Sequence, residues 1–126
     1  MKRLFLTLVC VSVVLGLCNS SAFAIPEASK QFKDHYPALK EKADEAKCNV
    51  CHYGTSKKNK NDFGKALSEF IKKDNYKADR VKSEADKVKA EFGEAFKKVE
   101  TLKSKGGDTF GDRIKAGNLP GTPEKE

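Results

Sequence analysis

The chain has 126 residues, four cysteines, a single methionine and a formal charge of +7. That length is enough for one small domain with a modest core. Its lysines are interleaved with acidic residues, the pattern of a solvated surface of mixed sign that is able to steer an acidic partner.

Lys2 and Arg3 precede an apolar run from Leu4 to Leu17 that closes at Ala22-Phe23-Ala24, a small-residue pattern suited to signal peptidase. Residues 1–24 therefore read as a cleaved signal peptide, and the rest of the chain as periplasmic or secreted. The run is shorter than the roughly 20 residues that cross a bilayer, which argues against a retained anchor. Leu17 stands where lipoprotein signals carry a small residue, which argues against a lipid on Cys18. After cleavage no membrane attachment is expected, and an exported chain meets no nucleic acid. Cys10 and Cys18 leave with the signal, so only Cys48 and Cys51 remain and a multi-disulfide scaffold is excluded.

From Ile25 the apolar positions Ala28, Phe32, Tyr36, Leu39, Ala43 and Ala46 recur at spacings of three and four, which is helical. Pro37 interrupts them, so the pattern predicts a helix from about Pro26, a break near His35-Tyr36 and a second helix from Pro37 that delivers the chain to Cys48. Residues 52–61, HYGTSKKNKN, have no periodicity and read as a loop. Asp62 is the expected N-cap of the next helix, whose stripe of Phe63, Ala66, Leu67, Phe70 and Ile71 faces a core or a ligand. Asp74-Asn75 marks a turn. Val81, Ala85, Val88, Phe92, Ala95, Val99 and Leu102 then predict one long charged helix over about 77–104, its thin seam packed inside the same molecule rather than paired with a second copy. The protein is accordingly expected to be a monomer. Gly106-Gly107 ends that helix, and 106–126 reads as an irregular tail that docks through Phe110 and Ile114 before fraying at Pro123. The fold class is all-α: a helical domain over 25–105, with the long helix and the tail as additions.

The chemistry is concentrated in Cys48-Asn49-Val50-Cys51-His52, a C-x-x-C-H sequence. On a helical turn two thiols three residues apart lie on one side of the backbone and reach both vinyl groups of one haem, while the adjacent imidazole meets the iron from one face. Three other readings use the same residues. A disulfide oxidoreductase also carries C-x-x-C, normally beside a βαβ pattern that is missing here. Zinc would recruit Cys48, Cys51, His52 and His35, with awkward closure because Cys51 and His52 are adjacent. A simple Cys48–Cys51 disulfide closes so small a loop that it stabilises little.

With the motif at the end of an N-terminal helix, followed by a lysine-rich loop and further helices, residues 37 to 73 resemble the small monohaem c-type cytochromes of the bacterial periplasm. The resemblance implies one covalent haem c, His52 as proximal iron ligand, electron transfer, and a helical domain wrapped around the haem. It departs from the family at the sixth iron position, where a methionine is usual, because the only methionine here is Met1. The remaining options are His35, the nearby Lys57, Lys58, Lys60 or Tyr53, and an open or water-bound iron. Tyr36, Tyr53, Phe63 and Phe70 are candidates to line the pocket.

An electron carrier with an acidic redox partner docking near Lys57, Lys58 and Lys60 is the leading expectation. A five-coordinate haem that binds a diatomic ligand, as a sensor or gas carrier, is the rival. A third reading has the long helix dock the haem module onto a larger complex. No distal acid–base pair is visible, so the chain is not read as an enzyme.

Overall fold

A computed structural model describes residues 25–124 of the chain. The expected signal peptide lies outside the described residues, as does the end of the tail. Among the described residues six helices carry the fold: α1 (Pro26–His35), α2 (Lys40–Ala46), α3 (Asp62–Phe70), α4 (Ala78–Ser83), α5 (Ala85–Glu100) and α6 (Phe110–Lys115). Short 3-10 turns at Pro37–Leu39, Lys47–Val50 and Lys73–Asn75 join them, and no strand forms among the described residues, where only isolated bridges pair His52 with Lys60 and Lys103 with Thr109. The protein is all-α, and among the described residues no helix is long and apolar enough to cross a membrane.

Local chemistry sets most boundaries. Pro26 opens α1 in the first turn, where its missing N–H costs nothing, and Lys33 and His35 fall in the last turn. Pro37 then forces the break, with Tyr36 closing the helix through its N–H to the Phe32 carbonyl at 2.9 Å. The cap of α3 is Asn61 rather than Asp62: the Asn61 side chain accepts from Gly64 N at 2.8 Å. Asp62 is instead turned inward to bind the C-terminal segment, a use that no local pattern announces.

The helix expected over 77–104 is two helices, bent at Glu84, whose backbone (φ −124, ψ 40) leaves the helical region. The seam explains why straightness is weakly favoured, since Val81 is only half-buried and Ala85 is exposed. The bend lets Arg80 hold Glu91 through Nη2 and Nη1 at 2.7 and 3.2 Å while its Nε meets Glu84 at 3.0 Å. On a straight helix those eleven residues would rise about 16 Å, beyond the reach of the pair. Tyr76 adds its hydroxyl to Glu91 at 2.9 Å, fixing the turn before α4 to α5.

The tail is not irregular throughout, since α6 forms within it. Thr109 caps α6 by accepting from Asp112 N at 3.0 Å, and Phe110 packs on Phe63 with ring centroids 5.5 Å apart. Beyond α6, Pro120 is fully buried and residues 118–124 form a strap across the start of α3. A six-residue helix is too short to reveal its period in sequence, which is why the expectation fell short here.

The core runs between α1, α3, α5 and α6. Phe32 is its centre, edge-on to Phe63 at 5.8 Å and to Phe96 at 6.0 Å, and Val88, Phe92 and Val99 complete the buried face of α5. Phe96 lies off the sequence seam yet is 1% exposed, because it fills the space between α1 and α5. Tyr36 is buried beside it and donates to Glu100 at 2.6 Å, and its hydroxyl is pushed up by burial and by that carboxylate. Phe96→Ala is expected to lower unfolding free energy by about 3 to 5 kcal/mol, the usual cost of emptying a buried aromatic site, measured by urea denaturation.

Candidate cofactor site

The chain leaves α2 through Lys47, a non-glycine residue at φ 52, ψ −116. That region is costly for an L-residue, and it sits immediately before Cys48. The 3-10 turn that follows is closed on the Cys48 carbonyl, which accepts from Cys51 N at 3.2 Å and His52 N at 3.0 Å. Cys48 is exposed, Cys51 is half-buried, and both thiols are free.

After the loop the chain returns antiparallel to the motif. The Asn59 carbonyl accepts from Tyr53 N at 3.1 Å and from the His52 ring at Nδ1, also at 3.1 Å. Asn61 N donates to the Cys51 carbonyl at 3.0 Å, and Asn61 Nδ2 donates to the Val50 carbonyl at 3.1 Å. Gly64 lets α3 press on the same turn, since a Cβ there would stand 2.0 Å from the Cys51 oxygen.

A carbonyl only accepts, so Nδ1 of His52 carries the proton and Nε2 keeps its lone pair. Burial lowers the pKa of this imidazole; the Asn59 contact opposes the shift and the charges of Lys60 and Lys57 reinforce it. The ring is thus neutral near pH 7, which is the metal-binding form, with its second nitrogen oriented by a backbone carbonyl. Burial pushes the Cys51 thiol up to about 12, with Cys48 adding and Lys60 opposing.

Cys48, Cys51 and His52 line one cavity of about 510 Å³ between α1, α2 and α3. Ile25, Ala28 and Phe32 of α1, Val50, and Leu67 and Ile71 supply its apolar surface. The volume lies within the range of small-molecule and cofactor sites, and two thiols, a neutral imidazole and an apolar chamber are the donors and surroundings that a covalently held haem uses. A larger groove of about 900 Å³, lined by Phe70, Tyr76, Arg80 and Lys98, contains neither cysteine nor histidine, so the residues of the motif are gathered at the smaller cavity.

Five lysines, Lys33, Lys47, Lys60, Lys72 and Lys73, border the cavity against two acids, Asp44 and Asp74. Lys33 pairs with Asp44 at 2.8 Å, and Lys72 donates to the Ser68 carbonyl at 2.8 Å.

His35 is not brought to this cavity. It is exposed at the end of α1, its ring 4.7 Å from that of Tyr36 and 5.3 Å from that of Phe96, beside Gly93 of α5. The four-ligand zinc set is therefore not assembled, and no group of three or more His, Cys, Asp or Glu side chains among the described residues is arranged to hold a metal ion. Lys57, Lys58 and Tyr53 do not line the cavity, whereas Lys60 does. Of the expected aromatic lining, Phe63 is in the core, Phe70 lines the other groove, and neither Tyr36 nor Tyr53 takes part. Phe32 lines it instead. The supporting roles of Asn59 and Asn61 were not foreseen; the first acts through its backbone and leaves no sequence signal, while the second is a favoured capping residue one position before the cap expected.

Compared with known proteins, the chain matches no family model, no curated protein and no solved structure.

Asp62 ties this region to the rest of the fold. Its two carboxylate oxygens accept from Phe63 N at 2.9 Å, Thr122 N at 2.6 Å, Lys105 N at 2.8 Å and Thr122 Oγ1 at 2.7 Å. Burial alone would raise its pKa, but the bonds from Thr122, Lys105 and Phe63 together outweigh that and hold it below the ordinary carboxylate value. A depressed folded pKa gives stability that is complete above the unfolded value, about 3.9, and lost as pH falls through the folded one. Asp62→Asn is expected to cost about 2 to 3 kcal/mol at pH 7 and to flatten the acid limb of the stability curve, read from urea unfolding between pH 2 and 7.

Proposed function

We propose that the chain is an exported monohaem c-type protein that transfers electrons, its haem joined through Cys48 and Cys51 with His52 as the proximal iron ligand. One observation carries the reading: His52 gives its Nδ1 proton to the Asn59 carbonyl and keeps Nε2 free in an apolar cavity that both cysteines also line. When bound, haem c supplies a one-electron couple between ferric and ferrous iron. The protein's own part is to exclude water with Phe32, Leu67 and Ile71, to hold the imidazole in one tautomer, and to present the thiols on a single turn. The lysines around the cavity favour an acidic partner protein, because they outnumber the acids there.

A second reading is favoured by the position of His35, which leaves the cavity without a second histidine. In that reading the sixth iron position is open to a diatomic ligand, and the protein is a sensor or a gas carrier.

The test is an absorption spectrum of the protein made with c-haem maturation machinery, oxidised and reduced, then with carbon monoxide. Covalent haem that survives acid-acetone extraction and is lost in Cys48→Ala/Cys51→Ala is the expected result; absence of covalent haem overturns the proposal. A reduced spectrum unmoved by carbon monoxide supports the electron carrier with a sixth protein ligand, while rapid binding selects the open site. For the carrier, affinity for an acidic redox protein should weaken as salt rises from 20 to about 200 mM, since the Debye length shortens several-fold. Affinity independent of salt counts against the lysine surface as the docking face.

A further inference from the structure

The segment that orders the C-x-x-C-H turn is itself held from outside. Residues 118–124 reach it from the end of the chain, with Pro120 fully buried and the Gly121 carbonyl taken by Arg113 Nη2 at 3.3 Å. Gly121 lies so close to Asn61 that a Cβ on it would stand 2.3 Å from Asn61 Nδ2 and 2.8 Å from Cγ. Next to it, Thr122 binds Asp62 with both its N–H and its hydroxyl, at 2.6 and 2.7 Å.

Asn61 has no slack with which to absorb movement. Its Oδ1 caps α3 through Gly64 N, its Nδ2 holds the Val50 carbonyl between the two cysteines, and its N–H holds the Cys51 carbonyl. Two residues earlier, Asn59 fixes the His52 ring. A displacement of Asn61 is therefore passed to the motif rather than absorbed by a flexible side-chain end.

We infer that the C-terminal strap is a positioning element for the cofactor site: Gly121 and Thr122, acting through Asn61 and Asp62, set the placement of the Cys48–Cys51 turn and the His52 imidazole. This deepens the reading of the site as a haem centre and rests on it for its consequence, though the contacts themselves do not.

The experiment compares Gly121→Ala with Gly117→Ala in the full chain, each prepared with and without haem maturation. Gly117 lies just before the strap, between it and α6, at φ +77, and a Cβ there meets nothing within 4 Å, so its substitution strains the approach to the strap without pushing on Asn61. In haem-free protein, ring-nitrogen NMR shifts of His52 report its tautomer, and amide exchange reports the bond from Asn61 N to Cys51. Gly121→Ala is expected to speed Asn61 exchange about tenfold, the scale of one lost hydrogen bond, and to mix the His52 tautomers. In loaded protein it shifts the reduction potential and the Soret band. Gly117→Ala leaves all four readouts in place even where it lowers stability as much. Thr122→Ser, which keeps the hydroxyl, behaves as wild type, and Thr122→Val moves the readouts in the direction of Gly121→Ala.

Equal behaviour of the two glycine variants at matched stability overturns the inference. If the wild-type chain takes no covalent haem, the haem reading fails, and the haem-free NMR comparison still decides the strap.

Discussion

The arrangement depends on one antiparallel contact, in which residues 59–62 lie along 50–53 and satisfy the backbone of the C-x-x-C-H turn. Asn61 is its centre, because one side chain serves as helix cap and as donor to the turn at once. Without a sheet to order the polar backbone of a 3-10 turn, those carbonyls need partners from elsewhere, or burial would be costly. The partner segment supplies them, and α3 begins one residue later, so the orientation of that helix and the shape of the turn are set by the same few bonds.

The core is built around this contact rather than apart from it. Phe32 faces the cavity and also packs on Phe63 and Phe96, so the wall of the chamber is continuous with the aromatic centre of the protein. The helices α4 and α5 buttress the far side. Their charged outer faces contribute little, since exposed ion pairs such as Lys97–Glu94 are worth only a fraction of a kcal/mol. The better-made Arg80–Glu91–Tyr76 group instead fixes the angle at Glu84.

Much of the helical content was legible in the sequence, because it rests on short-range rules. Pro37 marked the break after α1 and the stripe from Phe63 to Ile71 marked α3, whereas α5 ends at Glu100, short of the expected 104 and well before Gly106-Gly107. What escaped was set by tertiary contacts. The bend at Glu84 follows from a side-chain pair eleven residues apart, and Phe96 is buried because α1 happens to pass over it. In the candidate site the motif itself was plain, as Cys48, Cys51 and His52 are adjacent in sequence and needed only a turn to meet. His35 was a matter of direction: the histidine sits at the expected break, but the last turn of α1 sends it toward α5 and away from the cavity. Asn59 acts through a carbonyl that every residue possesses, and no residue type could have pointed to it.

The bond between Thr122 and Asp62 spans 60 positions of the chain. A ribosome adding about 5 to 20 residues each second needs roughly 3 to 12 s to make that stretch. Throughout that interval Cys48 to His52 already exist, while the segment that will bind Asp62 and pack on Asn61 behind them has yet to be made. The order in which the polypeptide is written thus gives the turn with the two thiols its immediate bonds from residues 59–61 early in the life of each molecule, and adds the support from Thr122 to Asp62 late.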